Sequence, residues 1–106
     1  MPNVPIVLPE IDSEVIVRRQ PPYVVLIHND DFNSQEFVVR VLQEVFHYPM
    51  EKCVDLMLEA HEEGRAVVWR GAMEVAELKA DLITGYGPDP QSQSKHPIRV
   101  TIEPVS

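Results

Sequence analysis

The chain has 106 residues, 44 % of them hydrophobic and 25 % charged, the composition of one ordinary globular domain with no room for a second. Seventeen acidic against nine basic residues give a formal charge of −8, a field that repels nucleic-acid backbones and anionic membranes and favours a cationic ligand or a basic partner. A single cysteine, Cys53, rules out an internal disulfide and a paired-cysteine metal motif, and fits a reducing, cytoplasmic compartment.

Residues 1–22 hold five of the ten prolines without a sustained helical or strand period, so they read as a flexible arm ahead of a core domain over residues 23–106. The arm lacks a basic start followed by an apolar run, and no stretch approaches the roughly 20 apolar residues of a membrane span. The run Tyr23-Val24-Val25-Leu26-Ile27 predicts a buried strand, bounded by Pro22 and by the polar cluster His28-Asn29-Asp30-Asp31. Asn33, three residues before Glu36, suits a capping box for a helix from about Ser34 to Phe46. Its stripe is Phe37, Val38, Val41, Leu42, Val45 and Phe46, with Arg40, Gln43 and Glu44 opposite.

Pro49 suits the first turn of a second helix, whose Cys53, Val54, Leu56, Met57, Leu58 and Ala60 imply substantial burial before Gly64 stops it. Ala66 to Trp69 reads as a short strand. After Gly71, the spacing of Val75, Leu78, Leu82 and Ile83 predicts a third helix ended by Gly85 and Gly87. Gly87 to Lys95 reads as an exposed loop, and the alternation over Ile98 to Ile102 as a last strand with one buried face. The expected fold is α+β: a small three-stranded antiparallel sheet with three helices packed on one side.

Asn29, Asp30 and Asp31 lie between a buried strand and a capped helix, where rigid elements can hold ligand-binding side chains. Their oxygens could accept from a primary ammonium, which brings three donors. On the residues alone, a plain turn and helix cap is the commoner use of such a cluster. His61 shares a helix face with Met57, four residues earlier, and a neutral imidazole would add an acceptor. His47 and His96 read as structural or solvated. A metal site from His28, Asp30, Asp31 and His61, or acid–base catalysis by Asp30 or Asp31 with His61, is conceivable, but the spacing matches no metal motif and no nucleophile or phosphate loop accompanies it. No cofactor is expected. A purely structural interaction domain, such as one resembling the ribosomal stalk protein's C-terminal domain, is a further alternative.

The strings VVLIHNDDFNSQEFVVRVL, DLMLEAHEEGRAVV and EVAELKA together resemble the ClpS family, adaptors that deliver substrates with destabilising N-terminal residues to the Clp protease. The resemblance runs from about Tyr23 to Glu103 and implies a binding protein, not an enzyme. It implies that Asn29 and His61, with Asp30 or Asp31, hold the substrate's free α-amino group. A side-chain pocket would fall on Val38, Met57, Ala60 and Ile98, with Asn33 and Gln35 beside them, and would receive an N-terminal Phe, Leu, Trp or Tyr. The resemblance further implies docking of the N-terminal domain of a Clp-family AAA+ ATPase on Glu74, Glu77 and Lys79, and an arm that the ATPase engages. A monomer is the expected state.

The chain departs from the family pattern in its pocket residues and in one loop. Ser34-Gln35 replaces the Pro-Met of many members, which puts a polar side chain at the pocket and predicts a shifted preference among the four residues. The loop from Gly87 to Lys95 is longer than usual. Ala60 is also small for its place and would deepen the pocket.

Overall fold

The computed structural model describes residues 20–93 and 95–105; residues 1–19 of the expected arm lie outside them. The chain order is β1 (Tyr23–His28), α1 (Gln35–Phe46), α2 (Met50–Glu63), β2 (Arg65–Gly71), α3 (Met73–Gly85) and β3 (Val100–Pro104). The strands form one antiparallel sheet in the order β2-β1-β3, so the most apolar strand takes the centre and is paired on both edges. Beyond the strand ends, Val105 N–H donates to the Pro22 carbonyl at 2.8 Å.

Val25 and Ile27 of β1 join Ala66 and Val68 of β2 in one cluster with the buried side chains of all three helices. This is the predicted α+β arrangement with its helices on one side. Helices α2 and α3 lie close to the sheet, while α1 packs against those two helices. The second position explains a difference in α1. Val39 is buried and Val38 only half-buried, because a helix wedged against two neighbours buries a wider arc than a single stripe.

A register shift between Val25 and Leu26 leaves Val68 as the extra residue of a bulge in β2. Its carbonyl accepts from the Tyr48 hydroxyl at 2.7 Å, so the group the bulge removes from the ladder is still satisfied. The ring of the next residue, Trp69, folds over Gly71, two residues further on, where a Cβ would overlap it.

Four local expectations are corrected. The cap of α1 is Ser34, whose Oγ accepts from Phe37 N–H at 3.1 Å; the Asn33 amide is engaged elsewhere. In α2 only Cys53, Met57 and Ala60 are buried, a single stripe at four- and three-residue spacing, with Leu58 turned outward. In α3 the buried residues are Ala76 and Ile83, because a helix lying close to a sheet presents its small residue at the contact. Val75, Leu78 and Leu82 are exposed, Leu78 by 56 %. Finally, the loop after α3 is not wholly solvated: Asp89 is only 4 % exposed.

Candidate functional site

Strand β1 ends at His28, and the chain then turns through Asn29 to Asn33 before entering α1. Two backbone bonds fix where that turn starts. His28 N–H donates to the Arg99 carbonyl at 3.0 Å, and Asn29 N–H donates to the Gly64 carbonyl at 2.9 Å. Gly64 is the left-handed cap of α2, with φ of 96°, a conformation that suits glycine. Asn29 is thereby tied to the helix end that carries His61.

Asp30 organises the turn from within. One carboxylate oxygen accepts from the N–H groups of Phe32 and Asn33, each at 2.8 Å, and the other accepts from Asn33 Nδ2 at 3.2 Å. Asn33 Nδ2 also donates to the His96 carbonyl at 3.1 Å, and Asn33 Oδ1 accepts from Asp89 N–H at 2.9 Å. Asp89 in turn accepts from Ser34 N–H at 3.0 Å and Gln91 N–H at 2.9 Å. Three distant segments are thus joined through the side chains of Asp30, Asn33 and Asp89. Phe32 and His96 add a ring contact at 4.4 Å between centroids, so His96 is part of this scaffold.

The turn, the start of α1 and the end of α2 enclose a narrow cleft of about 40 Å³ lined by predicted site residues. Asn29, Asp30, Asn33 and His61 supply its polar wall; Val38, Met57 and Ala60 supply its apolar wall, with Gln35 at the edge. Asp31 and Ile98 do not line it. They line an adjoining cavity of about 550 Å³ on the other side of the turn, together with Phe32, Pro97 and Arg99. Nothing in the sequence around Asp89 singles it out, because a buried loop aspartate is recognisable only once its N–H partners are known. His28 also borders the cleft, and its Nε2 lies 2.7 Å from Thr101 Oγ1. Burial, then the nearby Arg99 and Arg65 charges, hold its imidazole below the ordinary histidine range, which favours the neutral ring.

Among the described residues, no group of three histidine, cysteine or acidic side chains is arranged to hold a metal ion. Cys53 is buried, and desolvation raises its thiol pKa, the opposite of what an activated nucleophile needs. Among those residues, too, no helix is long and apolar enough to cross a membrane. On α3, Glu74 and Glu77 are exposed beside Leu78. Lys79 is half-buried, with Nζ 3.4 Å from the Val45 carbonyl and 5.6 Å from the Phe46 ring centre.

The family model described as "ATP-dependent Clp protease adaptor protein ClpS" matches residues 18–101. The ATP-dependent Clp protease adapter protein ClpS of Erwinia tasmaniensis is 38 % identical over 94 residues, covering 87 % of this chain and 85 % of its own. That of Edwardsiella ictaluri is 42 % identical over 86 residues, covering 79 % and 77 %. The structure of Agrobacterium tumefaciens ClpS2 bound to L-phenylalaninamide aligns with a TM-score of 0.73 at 34 % identity, covering 82 % of this chain and 100 % of that one. A family match over most of the chain, relatives of this similarity and a shared fold have one meaning: the chain belongs to the ClpS family, adaptors of the ATP-dependent Clp protease and not enzymes.

Proposed function

We propose that this adaptor recognises proteins by a free α-amino group together with a bulky apolar N-terminal side chain, and delivers them to a Clp ATPase. The observation that carries the reading is the meeting of Asn29, Asp30 and His61 with Val38, Met57 and Ala60 in one cleft. An ammonium needs several acceptors when it leaves water, and the polar wall offers an amide oxygen, an imidazole and a nearby carboxylate charge. The apolar wall takes the side chain. Gln35 and Met57 are unbranched, so they can swing aside to widen a cleft of about 40 Å³.

The ligand named for ClpS2, L-phenylalaninamide, has this chemistry: a free α-amine and an aromatic side chain. Phe, Leu, Trp and Tyr are the N-terminal residues proposed for this chain. Asp30 has both oxygens engaged within the turn, so it acts here as a fixed negative charge, with Asn29 and His61 as the adjustable acceptors. Asp31, on the far side of the turn, would contribute at longer range. The exposed side of α3, with Glu74, Glu77 and Leu78 and with Lys79 at its margin, is the proposed docking face for the ATPase N-terminal domain. A monomeric cytoplasmic protein suffices for this task.

Calorimetric titration with a peptide beginning in free Phe, beside its N-acetylated twin, tests the reading. Acetylation removes the charge and two of the donors, leaving cleft acceptors unpaired at a cost of about 1–3 kcal/mol or more. Binding of only the free form is the expected result; equal binding of both would sink amine recognition.

A further inference from the structure

Beyond the cleft, α1 and α2 leave a second depression of about 540 Å³ between them. Gln35, Val39 and Gln43 line it along α1, and Met57, Val54 and Met50 along α2. Gln35 and Met57 are shared with the cleft, so the two form one continuous surface. Val39, Val54 and Met57 make an apolar floor, while Met50 at the far end is 52 % exposed. A folded chain gains little from a methionine held open to water beside an apolar floor; a ligand that covers it gains its burial.

We infer that this groove is a second side-chain subsite, which takes an apolar residue at the third position of the substrate. The inference rests on the amine-capture reading and extends it along the bound chain. From Gln35 to Gln43 the helix rises about 12 Å at roughly 1.5 Å per residue. An extended peptide advances about 3.3 Å per residue, so three or four residues span the groove. Side chains of an extended segment alternate in direction. With the first side chain in the cleft, the third points the same way and reaches the floor near Val54, while the second points to solvent. Gln35 and Gln43 place amides at the two ends, where they can pair with peptide N–H and carbonyl groups. Glu36 and Arg40 complete the lining and keep a soluble face beside the apolar floor.

The test compares three ligands by calorimetry: Phe-Ser-Leu-Ser, Phe-Leu-Ser-Ser and L-phenylalaninamide, all with free amines, the last having no third residue. Leu at the third position should bind about five- to tenfold more tightly than Leu at the second. Val54→Thr and, separately, the exposed-site change Met50→Glu should each reduce that ratio toward one and leave L-phenylalaninamide affinity unchanged. A ratio near one in the unsubstituted protein, a gain at the second position instead, or equal weakening of all three ligands by both variants would overturn the subsite. Failure of L-phenylalaninamide to bind at all would instead overturn the amine reading on which the subsite rests.

Discussion

Asp89 Oδ2 accepts the backbone N–H of Ser34 at 3.0 Å, tying the loop after α3 to the N-cap of the helix that borders the cleft. A carboxylate at a helix N-terminus satisfies an otherwise orphaned donor and complements the helix dipole. The backbone N–H of Gln91, followed by the bond to Ser34, holds the Asp89 carboxyl below its ordinary value of 3.8.

A depressed folded-state pKa means that the unfolded chain binds the proton more readily, so this contribution to stability is complete above about pH 4 and fades as pH falls through the folded value. Asp89→Asn should therefore lower the thermal midpoint at neutral pH, and the gap from the unsubstituted protein should close below pH 3.8. Melting curves from neutral to strongly acidic pH check this. A gap that stays constant in acid would mean that the charge of Asp89 is irrelevant.

His61 is exposed on the last turn of α2, so its removal should cost binding without costing the fold. His61→Ala is expected to weaken a free-Phe peptide about tenfold or more, from the loss of one acceptor to a charged donor, and to leave the thermal midpoint within a degree or so. The affinity should also decline above about pH 8, where an α-amine loses its proton. Fluorescence anisotropy across pH with both proteins measures the two effects. Unchanged affinity of the variant would remove His61 from the site.

Much of this was legible in the residues because the elements carry strong local signals. The apolar run of β1, the spacing in α1 and the glycine after α2 each mark their element, and the Asn-Asp-Asp and Met-Leu-Glu-Ala-His strings contain Asn29, Asp30, Met57, Ala60 and His61 of the cleft lining. What escaped depends on partners far away in the chain. Asn33 looks like a cap until Asp89 is seen to occupy its Oδ1, and only then does Ser34 take the capping role. Asp30 and Asp31 are indistinguishable as neighbours in sequence, yet the first folds into the turn and the second borders the other cavity. In α3, helical spacing alone could not tell the face of Ala76 and Ile83 from that of Val75, Leu78 and Leu82, because both are apolar.

Gly71 stands where the Trp69 ring leaves no space for a Cβ, at the end of the strand that carries the bulge. Gly71→Ala should force the indole off its seat and destabilise the domain by about 1–3 kcal/mol. Denaturant unfolding would read the loss. Since the cleft is built at the opposite end of β1, where Tyr23 pairs with Gly71 but His28 with Arg65, affinity for a free-Phe peptide should be kept under conditions where the variant is folded. A variant as stable as its parent would show that the ring can relocate without cost.

Gln35 is the first residue of α1 and borders both the cleft and the groove, so its side chain meets whatever the N-terminal side chain presents. Its amide can donate or accept, and among the four N-terminal side chains that separates those with a polar tip from those without. Tyr carries a hydroxyl and Trp an indole N–H, whereas Phe and Leu carry neither. A hydrogen bond of about 1 kcal/mol would favour the first pair by roughly fivefold. Gln35→Met replaces that amide by an apolar side chain of similar length, which should improve Phe and Leu through added apolar contact and remove the advantage of Tyr and Trp. The measurement is an affinity panel of four peptides differing only in the first residue, run with both proteins. Four affinities unchanged by the substitution would mean that Gln35 takes no part in choosing the side chain.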